Sequence, residues 1–136
     1  MKLIPYLNFA GNAEEALNFY KRAIGGEILM LSRFGDSPMP TDEDWKDKII
    51  HARLAVSGEI LLMISDTMKG REISTKGNIQ LSIGLQDEVQ TREIFTKLSE
   101  EGTVNMPLAP QYWGDLFGVL TDKFGISWML NCTIKK

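Results

Sequence analysis

Trp113-Gly114-Asp115-Leu116-Phe117-Gly118-Val119-Leu120-Thr121-Asp122-Lys123-Phe124-Gly125-Ile126-Ser127-Trp128-Met129-Leu130-Asn131 reads as two apolar strands on either side of a four-residue turn, Asp122-Lys123-Phe124-Gly125. Gly125 suits that turn because it adopts positive φ at no steric cost. Moving outward toward the N terminus, Thr103 to Ala109 is a further strand. Before it lies a helix that opens at Asp87 with Gln90 three residues on, carries Val89, Ile94, Phe95 and Leu98 on an apolar face, and stops at Gly102. Asn78 to Leu85 is the strand that opens this half of the chain. Its alternation sets Asn78, Gln80 and Ser82 on one face and Ile79, Leu81 and Ile83 on the other, so the apolar set is expected on the helix and the amides toward a pocket.

The first half repeats this order. Leu3 to Phe9 is a strand containing Pro5, and Asn12 with Glu15 three residues later has the form of a capping box. Ala13, Ala16, Leu17, Tyr20 and Ile24 then recur at helical spacing until Gly25-Gly26. Glu27 to Phe34 returns to a strand, and Gly35 to Asp47 is a long acidic loop. Ile49 to Ser65 reads as a hairpin. Matching the apolar faces Ala52, Leu54, Val56 and Ile60, Leu62, Ile64 pairs Ala55 with Glu59 across a three-residue loop ending in Gly58. His51 and Arg53 then share the opposite face with Leu61 and Met63. Each half therefore reads strand, helix, three strands: a duplicated α+β domain with module one at about 1–66, a linker at about 67–77 and module two at about 78–136.

The 136 residues suffice for one domain with a core of its own. With 15 Lys and Arg against 18 Asp and Glu, the net charge of -3 provides no basic field, so no nucleic-acid partner is expected. The single Cys132 excludes an intramolecular disulfide and any cysteine metal cluster, which suits a cytoplasmic location. No stretch has the length of a signal core or membrane span, so no membrane partner is expected.

Several stretches in this order resemble the vicinal oxygen chelate superfamily, the glyoxalase/bleomycin-resistance/dioxygenase fold, and within it the PhnB-like branch. They are Pro5-Tyr6-Leu7-Asn8-Phe9, Ala13-Glu14-Glu15-Ala16-Leu17-Asn18-Phe19-Tyr20, Gly25-Gly26-Glu27, His51-Ala52, Leu62-Met63-Ile64-Ser65-Asp66, Met106-Pro107-Leu108, Trp113-Gly114 and Asp122-Lys123-Phe124-Gly125-Ile126-Ser127-Trp128-Met129. The resemblance implies two βαβββ modules whose curved mixed sheets enclose a pocket, in a homodimer. Metal-dependent members place ligands on the first and last strands of each module. The corresponding positions here hold Pro5, Met63, Asn78 and Met129. Proline has no donor, an amide oxygen is weak and thioethers prefer soft copper, so no metal and no other cofactor is expected. Glyoxalase and dioxygenase chemistry are disfavoured with it. A nucleotide-cofactor methyltransferase is also disfavoured, because Gly25-Gly26 and Gly114-Gly118 lack a strand-to-helix context.

Three functional readings follow. In the first, a small apolar or zwitterionic ligand is held without turnover by Leu7, Phe9, Met63, Met129 and Trp113 and oriented by Asn78, Gln80 and Asn131. In the second, His51 is a general base and Arg53 stabilises developing negative charge. The bland alternative for this pair is a strand-end histidine bonded to backbone and an edge arginine. In the third, dimerisation is the function and the pocket is vestigial. Trp45 and Tyr112 each suit a pocket wall or an interface, Met63 and Met129 suit gap-filling, and Asp66 and Asp122 read as turn residues.

Overall fold

The computed structural model describes residues 2–73 and 79–134. Asn78, expected to open the fifth strand and to orient a ligand, lies outside the described residues. The chain divides into two compact units, Met1–Ile73 and Ser74–Lys136, each an α+β layer of one helix on a four-stranded mixed sheet.

In the first unit β1 (Tyr6–Phe9), α1 (Ala13–Ile24), β2 (Glu27–Arg33), β3 (Ile49–Val56) and β4 (Glu59–Asp66) form a sheet of order β1-β4-β3-β2. Strand β1 runs parallel to β4 and the other pairs are antiparallel. The β1 ladder starts at Tyr6 and not at Leu3, because Pro5 can offer its carbonyl to the Met63 N–H (3.0 Å) but has no N–H to return. Ala13, Ala16, Leu17 and Tyr20 of α1 are buried against β3 and β4, where Ala52, Leu54, Leu62 and Ile64 complete the core. Each of the larger aliphatic side chains contributes about 1.5–3 kcal/mol there.

The helix start departs from the expected capping box, since the Asn12 side chain makes no cap bond. Asp66, expected in a turn, is the last residue of β4 and only 4% exposed. Its Oδ1 accepts from the Gly11 and Ala13 N–H groups (2.7 and 3.0 Å) and its Oδ2 from the Ile49 N–H (3.0 Å). A carboxylate can take three N–H donors where an asparagine at the helix start can take one or two, and it also complements the positive helix end. Trp45 folds onto the same corner: its Nε1 donates to the Thr67 carbonyl (3.2 Å) and its ring covers Gly11.

The β3–β4 hairpin keeps the expected faces but not the expected register. Val56 pairs with Glu59 across a two-residue turn, Ser57-Gly58, both at positive φ (54° and 81°). A register shift after Ala55 then brings Leu54 opposite Leu62 and Ala52 opposite Ile64. The primed turn matches strand twist better than the longer loop, and the bulge restores the apolar faces to the helix side.

In the second unit β5 (Leu81–Leu85), α2 (Glu88–Leu98), β6 (Thr103–Pro110), β7 (Asp115–Thr121) and β8 (Ser127–Thr133) form the order β5-β8-β7-β6, with β5 parallel to β8. Here the expected cap forms: Asp87 Oδ1 accepts from the Gln90 N–H at 3.0 Å. The buried face of α2 is Thr91, Ile94, Phe95 and Leu98, whereas Val89 is 66% exposed. Ile79 likewise is 76% exposed, ahead of the first paired residue of β5, so it does not pack on the helix as its alternation suggested. Phe95 lies directly over Gly118, whose missing Cβ makes room for the ring. The terminal hairpin turns at Asp122–Gly125, with Gly125 at φ 87°. Asp122 is more than a turn residue: it is buried and accepts from the Phe124 and Ile126 N–H groups and from Trp128 Nε1 (2.8, 3.1 and 2.8 Å).

Candidate functional site

Strand alternation gives each sheet a second face, opposite its helix. In the first unit this face carries Tyr6 and Asn8 from β1, Leu61, Met63 and Ser65 from β4, and His51 and Arg53 from β3. Met63 lies between Tyr6 on one neighbouring strand and Arg53 on the other. The Tyr6 hydroxyl is 2.7 Å from His51 Nδ1, and Arg53 Nε donates to His51 Nε2 at 3.0 Å. The Tyr6 and His51 rings are tilted at 51° with centroids 5.5 Å apart. Below this group Ser65 Oγ donates to Asn8 Oδ1 (3.3 Å).

These contacts fix the protonation of the imidazole. Nε2 accepts from the arginine and so carries no proton. A neutral ring must then carry its proton on Nδ1 and donate it to the Tyr6 oxygen. Burial, and secondarily the nearby Arg53 charge, hold the His51 pKa below the ordinary histidine value, which favours this neutral form. Arg53 is exposed, and among the described residues no carboxylate pairs with it. Its terminal N–H groups have no hydrogen-bond partner among the described residues.

His51, Arg53 and Met63, proposed from the sequence as site residues, thus come together on one face. Leu7 and Phe9 do not join them. They are 9% and 5% exposed on the helix side, because parallel pairing aligns Leu7 with Ile64 and so places it among the core residues. The residue of this face that the sequence did not single out is Tyr6, one position earlier than Leu7. The signal was available in the same alternation: Leu7 and Phe9 match the apolar set of Leu62 and Ile64, which leaves Tyr6 and Asn8 for the other face.

In the second unit the corresponding face carries Ser82, Phe117, Val119, Met129 and Asn131, with Ser82 and Val119 flanking Met129. Asn131 Nδ2 donates to Asp115 Oδ2 (3.0 Å), and Trp113 packs edge-on to Phe117 at 5.7 Å. Gln80 lies before β5 and donates to Ser127 Oγ (3.2 Å). Tyr112 is 96% exposed, its ring 5.0 Å from that of Trp113. A separate open groove of about 420 Å³, lined by Arg92 and Phe95 of α2 and Val104, Pro107 and Leu108 around β6, includes none of these site residues.

The donor set does not suit a divalent metal. Among the described residues no three His, Cys, Asp or Glu side chains converge. Met63 and Met129 offer only thioether sulfur, and Pro5 offers only a carbonyl already bonded to the Met63 N–H. These groups do not fit zinc, manganese, nickel or iron. Among the described residues no helix is long and apolar enough to cross a membrane.

A family model described as 3-demethylubiquinone-9 3-methyltransferase matches residues 1–131. Protein YjdN of Escherichia coli is 33% identical over 141 residues, covering 96% of this chain and 95% of that protein. Among solved structures, protein PA1353 of Pseudomonas aeruginosa superposes with a TM-score of 0.88 at 40% identity, covering 98% of both chains. A protein of Bacillus cereus described as a putative 3-demethylubiquinone-9 3-methyltransferase, PhnB protein, does so with a TM-score of 0.81 at 30% identity, covering 98% of this chain and all of that one. With a family match over nearly the whole chain and two βαβββ units in register with that fold, the chain belongs to this family, the PhnB-like branch of the vicinal oxygen chelate superfamily.

Proposed function

We propose that the protein binds a small molecule on the Tyr6–His51–Arg53 face of its first module, without a metal and without chemical turnover. The observation that carries this reading is the state of His51. Both ring nitrogens are engaged, by Tyr6 at 2.7 Å and by Arg53 at 3.0 Å. A general base needs a free lone pair within reach of the proton it removes, and the lone pair on Nε2 is already taken by the arginine. The exposed Arg53 guanidinium and the Met63 side chain offer binding surface in place of acid–base chemistry: a cationic fork beside a soft apolar contact. Methyl transfer with a nucleotide cofactor, the activity named in the family description, is disfavoured for want of a Gly-rich strand-to-helix turn. The turns before the two helices, Ala10-Gly11-Asn12 and Gln86-Asp87, are short and hold a single glycine, which Trp45 covers.

The test is a thermal-shift screen of a metabolite library on the purified protein, since a ligand that binds only the folded state raises Tm. Hits are expected to return chemically unchanged, and protection from hydrogen exchange is expected on β1, β3 and β4. A stoichiometric transition metal that co-purifies and is required for binding defeats the metal-free reading. Conversion of a hit to product defeats the claim of no turnover.

A further inference from the structure

We infer that Arg53 and Tyr6 form a two-point donor site for a small organic acid that carries a carboxylate and a second oxygen acceptor, with His51 as the residue that sets the donor direction. This rests on the small-molecule reading above and specifies its ligand class. The three side chains form a relay with one polarity. Arg53 Nε donates to His51 Nε2 at 3.0 Å, so the ring proton sits on Nδ1 and is donated to the Tyr6 oxygen 2.7 Å away. The phenolic oxygen is thereby used as an acceptor, and its own hydrogen is left to point elsewhere. At the other end the terminal guanidinium N–H groups are without a carboxylate among the described residues.

Both ends of the relay therefore present a donor: the terminal guanidinium N–H groups at one, and at the other the phenolic O–H, whose oxygen has one lone pair already engaged by His51. Water satisfies such ends adequately. An anionic acceptor satisfies the guanidinium end better, because the bond becomes charge-assisted and bidentate. Tyr6 and Arg53 hold different nitrogens of one imidazole, whose bonding directions diverge, so the two donors favour two acceptor groups over a single carboxylate. The ligand that uses both places a carboxylate on Arg53 and a second oxygen on the Tyr6 hydroxyl, with its carbon chain across Met63, which lies between the two strands that carry them. Short dicarboxylates and oxo- or hydroxy-acids have this chemistry. The imidazole contributes no charge to the ligand. Its role is to keep the Tyr6 oxygen occupied, so that the hydroxyl acts as a donor.

The experiment uses the full chain with succinate, glutarate and adipate as probes, butyrate as a one-carboxylate control and glutaramide as an uncharged one. Binding is followed by calorimetry and by the ¹⁵N shifts of His51, the only histidine. At least one dicarboxylate is expected to bind more tightly than butyrate, and glutaramide not at all. Tyr6→Phe is expected to weaken the dicarboxylate about tenfold, the effect of one lost hydrogen bond to a charged group, while leaving butyrate unchanged. Arg53→Lys keeps the charge but loses the Nε donor and the fork, and is expected to weaken both acids and to shift the His51 ¹⁵N signature away from the Nδ1–H tautomer. Tyr6 is 43% exposed and Arg53 is exposed, so both variants are expected to fold, which circular dichroism checks. An Nε2–H tautomer in the unmodified protein overturns the relay, and no dicarboxylate bound at millimolar concentration overturns the ligand class. If the library screen finds a neutral or cationic ligand insensitive to both variants, the donor site fails and small-molecule binding stands. If no ligand binds at all, the broader reading fails with it.

Discussion

Asp66→Ala removes one side chain and three hydrogen bonds. The carboxylate is 4% exposed and accepts from the N–H groups of Gly11 (2.7 Å), Ala13 (3.0 Å) and Ile49 (3.0 Å), of which Ala13 and Ile49 are themselves fully buried. Losing a helix cap costs about 0.5–2 kcal/mol. Leaving a buried donor unpaired costs about 1–3 kcal/mol, and Ile49 has no helix end at which water could replace the carboxylate. The expected loss is about 1.5–5 kcal/mol, with the upper half of that range favoured because both Ala13 and Ile49 are left buried without an acceptor and the side chain ties three backbone segments together. Asp66→Asn separates the two effects. Its amide oxygen can still serve Gly11 and Ala13, but its amino group then points at the Ile49 N–H, so a loss of about 2 kcal/mol is expected. Urea unfolding reads both variants. With a slope of about 2 kcal/mol per molar, the alanine midpoint falls by about 2 M and the asparagine midpoint by about half of that. Hydrogen exchange at Gly11, Ala13 and Ile49 should accelerate in Asp66→Ala, and chiefly at Ile49 in Asp66→Asn. A loss below about 1 kcal/mol for the alanine variant, or equal losses for the two, would refute the three-bond account.

The His51 resonance should titrate below the ordinary histidine value, because burial first and the Arg53 charge second disfavour its protonated form. The sign for stability follows: His51 adds stability above the unfolded pKa, and that contribution is lost as pH falls through the folded value, so unfolding free energy should decline below about pH 6.5 in part through this group. Arg53→Met should raise the His51 pKa without restoring it fully, since the larger cause is burial. Gly26→Ala should cost more than about 2 kcal/mol, because φ is +97° and the new Cβ would also strike the Ala55 carbonyl, whereas Gly58→Ala, at φ +81° with open space around it, should cost only the backbone strain of about 1–2 kcal/mol in the same urea assay. Gly118→Ala has no backbone strain but drives Cβ toward Phe95 Cε2 at 2.7 Å, and overpacking of about 1–3 kcal/mol should lower Tm. Glu14→Gln breaks the two-pronged pair with Arg33 (3.0 and 2.7 Å), yet with both side chains substantially exposed its effect in a salt-dependent melt should stay within about 1 kcal/mol.

Local chemistry made most of the architecture legible. The apolar spacing of Ala13, Ala16, Leu17 and Tyr20, the Asp87 cap and the Gly125 turn each act within a few residues, and each is present where the pattern placed it. Register was less accessible. Face matching grouped Ala52 and Leu54 correctly with Leu62 and Ile64, but a two-residue turn plus a bulge produces the same faces as a three-residue loop without one, and the pattern does not distinguish them.

Residues whose partners are far away in sequence were misread most. Asp66 looked like a turn residue because its three donors are up to 55 positions distant. Leu7 and Phe9 looked like pocket residues because they are apolar and stand beside the family's ligand position, while the parallel pairing of β1 with β4 puts them in the core. The composition, the duplicated order of elements and the identity of the residues at the family's metal positions are properties of the chain alone. Donor chemistry at Pro5, Met63 and Met129 needs no coordinates to judge. The tautomer of His51 could come only from tertiary structure, because it is set by Arg53 two residues away and by Tyr6 forty-five residues away, brought to different nitrogens of one ring by β3 and β1 flanking β4. A proton's position depends on which lone pair is already engaged, and that is a property of the assembled sheet.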